Sequence, residues 1–243
     1  MFQDKNASPM GTKTSGTRID RLNAKITGWL FIIAAVSSII GLKLYDPILL
    51  DENFIVMARK NYNKIVFGAI NELILVVTAT GTGIMLYPYL KRYNESLGIG
   101  YLSIRLLEVM FIMIGIISIL TALSISEYYT NGGIPDKNSA QHLMLSFIAM
   151  HKWTFILGPN FMLAINTLIY SYVFYRTGMI PSKLSMLGIF ASFLIMTAAI
   201  FELFSIIQQL SVWGILLALP IAIYEMSLAF YLIVKGFKTE SIV

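Results

Sequence analysis

A chain of 243 residues that is 57% hydrophobic, only 13% charged and of mean hydropathy +0.73 departs from a water-soluble domain on every count. Its formal charge of +5 is spread over flanks and loops rather than gathered on one face, which argues against a nucleic-acid partner. The absence of cysteine excludes disulfides, thiolate metal sites, thioether-attached haem and a lipoprotein anchor.

In chain order, residues 1–24 form a polar tail of mixed charge that is expected in the cytoplasm. Residues 25–238 are expected to form one transmembrane domain, followed by a short tail at 239–243. Within that domain six apolar stretches stand out, at about 26–44, 65–90, 101–126, 153–176, 184–207 and 212–235. Each is long enough, at about 1.5 Å per residue, to cross a hydrocarbon core of about 30 Å. The runs are continuously apolar rather than alternating, so they read as helices and not as barrel strands. The first run has no small-residue cleavage site after it and is read as a retained helix. The expected fold is therefore all-α: a six-helix transmembrane bundle with both termini inside.

That orientation rests on counting Lys and Arg: twelve fall on the segments that would be inside and six on those outside. The first outer connection, YDPILLDENFIVMARKNYNK (45–64), mixes apolar and charged residues in the manner of a short helix lying in the interface. In the second, EYYTNGGIPDKN (127–138) is a turn-rich segment. Ser139 is expected to cap the helix that follows, which runs into the fourth crossing and bends near Pro159. Trp29, Trp153 and Trp213 fall at the boundaries where aromatic belts sit.

The stretch LYPYLKRYNESLGIGYLSIRLLE (86–108), the inner turn YRTGMIPSKLSMLG (175–188) and the last helix LALPIAIYEMSLAFYLIVKGF (217–237) resemble the membrane family labelled domain of unknown function 4386. The resemblance covers nearly all of the helical region and implies a six-helix prokaryotic protein of the cell membrane. It implies no catalytic set.

Ionisable side chains deep in such helices are costly, so each requires a reason. Glu225 is the deepest, beside Tyr224 near the middle of the sixth helix. Arg105 and Glu108 are neighbours at i,i+3 on the third helix, and Arg105 reaches Glu225 as well if helices three and six touch. One reading is a structural clamp between helices; the other is a ligand or proton site. Toward the outer side, Glu72, His151, Lys152, Asn160 and Glu202 are candidates for a second polar pocket, although Lys152 and Glu202 lie near helix ends and are expected to reach the interface. Asn166 and Tyr170 read as hydrogen-bond partners between helices. The glycines at 81 and 83 read as close-packing positions.

No metal site is expected. The two histidines, His142 and His151, fall on opposite faces of one helix, and no Glu-x-x-His pair occurs. No cofactor motif is present: TATGTG (78–83) lies inside a crossing without the strand or Lys of a phosphate loop. The preferred reading is a bundle that binds or passes a small amphipathic or charged molecule in a pocket formed by Glu72, Arg105, Glu108 and Glu225, supported by Asn160 and Tyr224. Its expected partners are the bilayer and a small-molecule or lipid ligand, with no nucleic acid, and protein partners are left open. The alternatives are a metal-independent intramembrane enzyme acting on a lipid or isoprenoid, with Glu72 or Glu225 as acid/base, and a structural or regulatory membrane subunit.

Overall fold

The computed structural model describes residues 11–209 and 211–238. Among them all regular structure is helical: α1 (Gly11–Leu44), α2 (Asp46–Leu49), α3 (Phe54–Lys60), α4 (Tyr62–Tyr93), α5 (Glu95–Thr130), α6 (Lys137–Phe155), α7 (Leu163–Thr177), α8 (Ser182–Leu203) and α9 (Val212–Val234). A π-helical segment, Ile156–Met162, joins α6 to α7, so the fourth crossing is one continuous run from Lys137 to Thr177. Six helices are long and apolar enough to span a membrane.

Local chemistry sets the ends. Asn94 starts α5 by accepting the Leu97 N–H, and Ser211 starts α9 by accepting the Gly214 N–H. Gly178 closes α7 in the left-handed conformation at φ 68°, and Pro181 precedes α8. The connection between the first two crossings holds two short helices rather than one. Ile48 of α2 and Ile55 and Ala58 of α3 are buried against the bundle.

Two expectations are corrected here. The cap of α6 is Asp136, not Ser139: Asp136 accepts from the N–H groups of Asn138 and Ser139 and from the Ser139 hydroxyl at 2.7 Å. The fifth crossing ends at Leu203, short of residue 207. The Ser139 hydroxyl and the two backbone N–H groups hold the Asp136 carboxyl below the usual carboxylate range. A carboxyl depressed in this way stabilises the folded helix start above its unfolded pKa, and the contribution is lost as pH falls through the folded one. The Ser139 amide, followed by NMR, should therefore titrate in the wild type and stay flat in Asp136→Asn.

Successive crossings pack as neighbours, and α9 returns against α1 to close a ring. α6 lies on α5 and α7 on α8, while α5 and α9 make no substantial contact with each other. With six crossings both ends of the domain lie at one face, called here the terminal face; the opposite one is the far face. Half or more of each apolar window is not fully buried, with Phe67, Val77, Phe190, Phe193 and Phe230 among the exposed side chains. In water this would be one large apolar patch; in lipid it is the expected surface.

Inside the ring are three apolar clusters, two of them large. One, toward the terminal face, gathers Leu86, Tyr89, Tyr170, Phe174, Tyr224 and Leu232. The other, toward the far face, gathers Tyr45, Ile55, Ile65, Ile119 and Met144. Between them lie the small third cluster, Ala69, Ile112 and Ile116, and the buried Glu72, Arg105, Glu108 and His151, while Asp20 and Ser126 are buried nearer the two faces.

Candidate functional site

Arg105 and Glu108 sit one turn apart on α5, both almost fully inside, at 3% and 4% exposure. Arg105 Nη1 donates to both carboxylate oxygens of Glu108, at 2.9 and 3.0 Å. Asn166 of α7 donates through Nδ2 to Glu108 Oε2 at 2.6 Å, tying the pair to the fourth crossing. Glu108 thus receives three bonds and is fully engaged. Arg105 is not: its Nε and Nη2 are buried with no hydrogen-bond partner. The Arg105 stem fits because residue 83 on α4 is glycine, where an added Cβ would lie 3.1 Å from Arg105 Cγ. The Tyr101 ring lies 5.9 Å from the guanidinium.

These groups face a cavity of about 310 Å³. Its walls come from α1 (Phe31, Ala35, Ser38), α4 (Ala79, Thr82), α5 (Arg105, Glu108), the π segment and α7 (Pro159, Leu163) and α9 (Ile221, Glu225). Val36, Ile39 and Ala222 also line it and are exposed on the outer surface of α1 and α9, so the cavity opens sideways between those two helices. Closer to the terminal face the same helices are sealed: a Cβ on Gly28 would lie 2.6 Å from the Ala229 carbonyl. Glu225 is partly open to the cavity and makes no hydrogen bond or ion pair among the described residues. Arg105, Glu108 and Glu225 are therefore brought to one space, facing each other across it and not through touching helices.

The other site candidates lie elsewhere. Tyr224, next to Glu225 in sequence, is fully buried in the opposite direction, accepting the Ser171 hydroxyl at 2.7 Å and stacking on Tyr170 at 6.0 Å between ring centres. It packs the core and does not line the cavity. Asn160 donates to Glu202 Oε2 at 2.7 Å. Glu202 is only 4% exposed, which corrects the expectation that it reaches the interface; Lys152 is exposed as expected.

Glu72 accepts the Tyr45 hydroxyl at 3.0 Å and lines a separate void of about 10 Å³ with His151 and Thr154. Leu75, Ile112 and Pro159 form the wall common to both spaces. The candidates toward the far face thus split into a Tyr45–Glu72–His151 group and an Asn160–Glu202 pair rather than one pocket. Tyr45 was not singled out from the sequence, because nothing local marks a partner 27 residues from Glu72. Asn166 was read as an interhelical partner, but not as the partner of Glu108.

Among the described residues no group of three or more His, Asp or Glu side chains is placed to hold a metal. What the arrangement offers instead is a mostly apolar chamber with one buried ion pair and, at Glu225, one carboxyl without a partner among the described residues. Neither a comparison with curated proteins nor one with solved structures finds a match. A family match extends over residues 26–236, nearly the whole helical domain. The chain belongs to the membrane-protein family described as a domain of unknown function, DUF4386.

Proposed function

We propose that the protein binds a small amphipathic molecule drawn from the bilayer between α1 and α9, with its polar head at Arg105, Glu108 and Glu225. The observation that carries this reading is the conjunction of two features in one cavity. The chamber opens toward the outer surface of α1 and α9, and its wall holds the carboxyl of Glu225, which has no hydrogen-bond or ion-pair partner among the described residues. A carboxyl at that depth without a partner marks a place where another molecule or a proton bonds. A volume of about 310 Å³ lies at the small end of ligand sites, enough for a polar head and roughly one short chain. A clamp alone would account for Arg105 and Glu108, but not for the lateral opening or for Glu225.

The test is photolabelling in nanodiscs with a short-chain amphiphile that carries a diazirine on its tail. Labels should concentrate on peptides containing residues 31–39 and 221–226. Ala35→Phe fills the cavity without touching its charged groups, and it should cut that labelling by about tenfold, the equivalent of about 1.4 kcal/mol. Labelling spread evenly over the lipid-facing helices, or unchanged in Ala35→Phe, would refute the reading.

A further inference from the structure

The charge balance of the cavity says which kind of head group it takes. Every element that lines it contributes to the count. From α1 come Phe31, Ala35 and Ser38, and from α4 come Ala79 and Thr82; none of these is charged. The π segment and α7 contribute Pro159 and Leu163, also uncharged. α5 supplies Arg105 and Glu108, and α9 supplies Glu225. Arg105 and Glu108 are hydrogen-bonded to each other at 2.9 Å and cancel. Glu225 remains, with no cation within ion-pair distance among the described residues.

A carboxylate held in a mostly apolar chamber does not stay bare; it keeps either a proton or a cation. We infer that the site selects monocationic amphiphiles, amines with a short apolar tail, and that the ammonium group exchanges with a proton on Glu225. The inference rests on the cavity reading above and adds the charge of the ligand to it. A neutral or anionic head leaves the proton on Glu225 and gains no ion pair there, and Arg105 is already paired with Glu108, so neither has the charge contact that an ammonium makes. Selection for cations thus depends on one side chain, and substituting it should abolish the selection while leaving the chamber intact.

The experiment uses the full chain in nanodiscs and three probes of equal tail length, decylammonium, decanol and decanoate, with concentrations referred to the nanodisc lipid. Decylammonium should bind at least about tenfold more tightly than the other two, a difference of about 1.4 kcal/mol. In Glu225→Gln that preference should vanish while decanol binding persists, and persistence of decanol binding also certifies that the variant is folded. As a check on the wild type alone, binding in weakly buffered solution should release about one proton per decylammonium, because a site that loses a proton on binding shows it in this linkage. The proton measurement is read below the pH at which the wild type already binds the amine without release. If all three probes bind alike, or if Glu225→Gln keeps the preference, the charge inference is overturned and the cavity reading stands. If none binds, the cavity reading itself falls.

Discussion

Replacing Arg105 by Met should lower the stability of the protein in detergent by about 3–5 kcal/mol, because it strands the Glu108 carboxylate in the interior with only Asn166 to hold it. The loss comes from the orphaned charge more than from the bond that is removed, and this makes a specific pattern. Glu108→Gln on its own leaves Arg105 with fewer acceptors and should also destabilise. The double variant Arg105→Met/Glu108→Gln removes both charges together, and it should recover to within about 1–2 kcal/mol of the wild type. Thermal or denaturant unfolding of the four proteins closes the cycle. A double variant no more stable than Arg105→Met would show that the pair is not coupled as its 2.9 Å contact implies. The same variants also separate structure from binding. The double variant should fold yet lose both charges of the pair in the cavity wall, so recovered stability without recovered amphiphile binding is the combined outcome expected.

The sequence makes the crossings readable because a hydrocarbon core imposes a length on every apolar run, and four of the six stretches need only small adjustments at their ends, whereas α1 begins at Gly11, inside the segment read as a polar tail. The fourth needed more. Its first half, from Lys137, is only moderately apolar, and a span of 41 residues is far longer than a bilayer requires. The π segment around Pro159 widens the helix there and sets Asn160 toward α8, where it donates to Glu202. No periodicity argument predicts that shift, since a π segment interrupts the 3.6-residue register on which such arguments rest. Arg105 and Glu108 were readable as a pair because i,i+3 proximity is local.

Direction was harder to read than depth. Tyr224 and Glu225 are consecutive, so both counted as mid-membrane polar residues, yet consecutive helical residues diverge by about 100°. One turns into the core beside Ser171 and the other into the cavity. Which way each turns depends on the neighbours of α9, and those follow from closure of the ring by α1, a contact between the two ends of the chain. The cavity itself was not legible for the same reason. Three of its wall residues, Ala34, Ala35 and Ser38, come from the first crossing, whose small side chains look like ordinary helix-packing positions when read alone. Depth is a property of one helix, whereas a shared chamber is a property of five.

Gly188 on α8 shows how tightly that ring is set, and Gly188→Val should cost about 3 kcal/mol or more. A Cβ at this position would run into the Ser171 Oγ and the Tyr224 ring, the two partners of a buried hydrogen bond between α7 and α9. Neither can retreat easily: Tyr224 is fully buried and stacked on Tyr170, and Ser171 is also fully buried. Gly188→Ala should cost less, about 1–3 kcal/mol. Adding Tyr224→Leu, which removes the obstructing ring, should make the pair of changes less damaging than the sum of the two. Gly100 is the control, because nothing lies within 4 Å of its Cβ position. Gly100→Ala should be neutral or stabilise by up to about 1 kcal/mol through helix propensity. Equal losses at residues 188 and 100 would mean that the damage is to the helices themselves rather than to their packing. Because Tyr224 is next to Glu225, a wedge that pushes α9 outward also moves the one free carboxylate of the cavity. Gly188→Ala should therefore weaken amphiphile binding although it lies outside the cavity wall, whereas Gly100→Ala should leave binding unchanged.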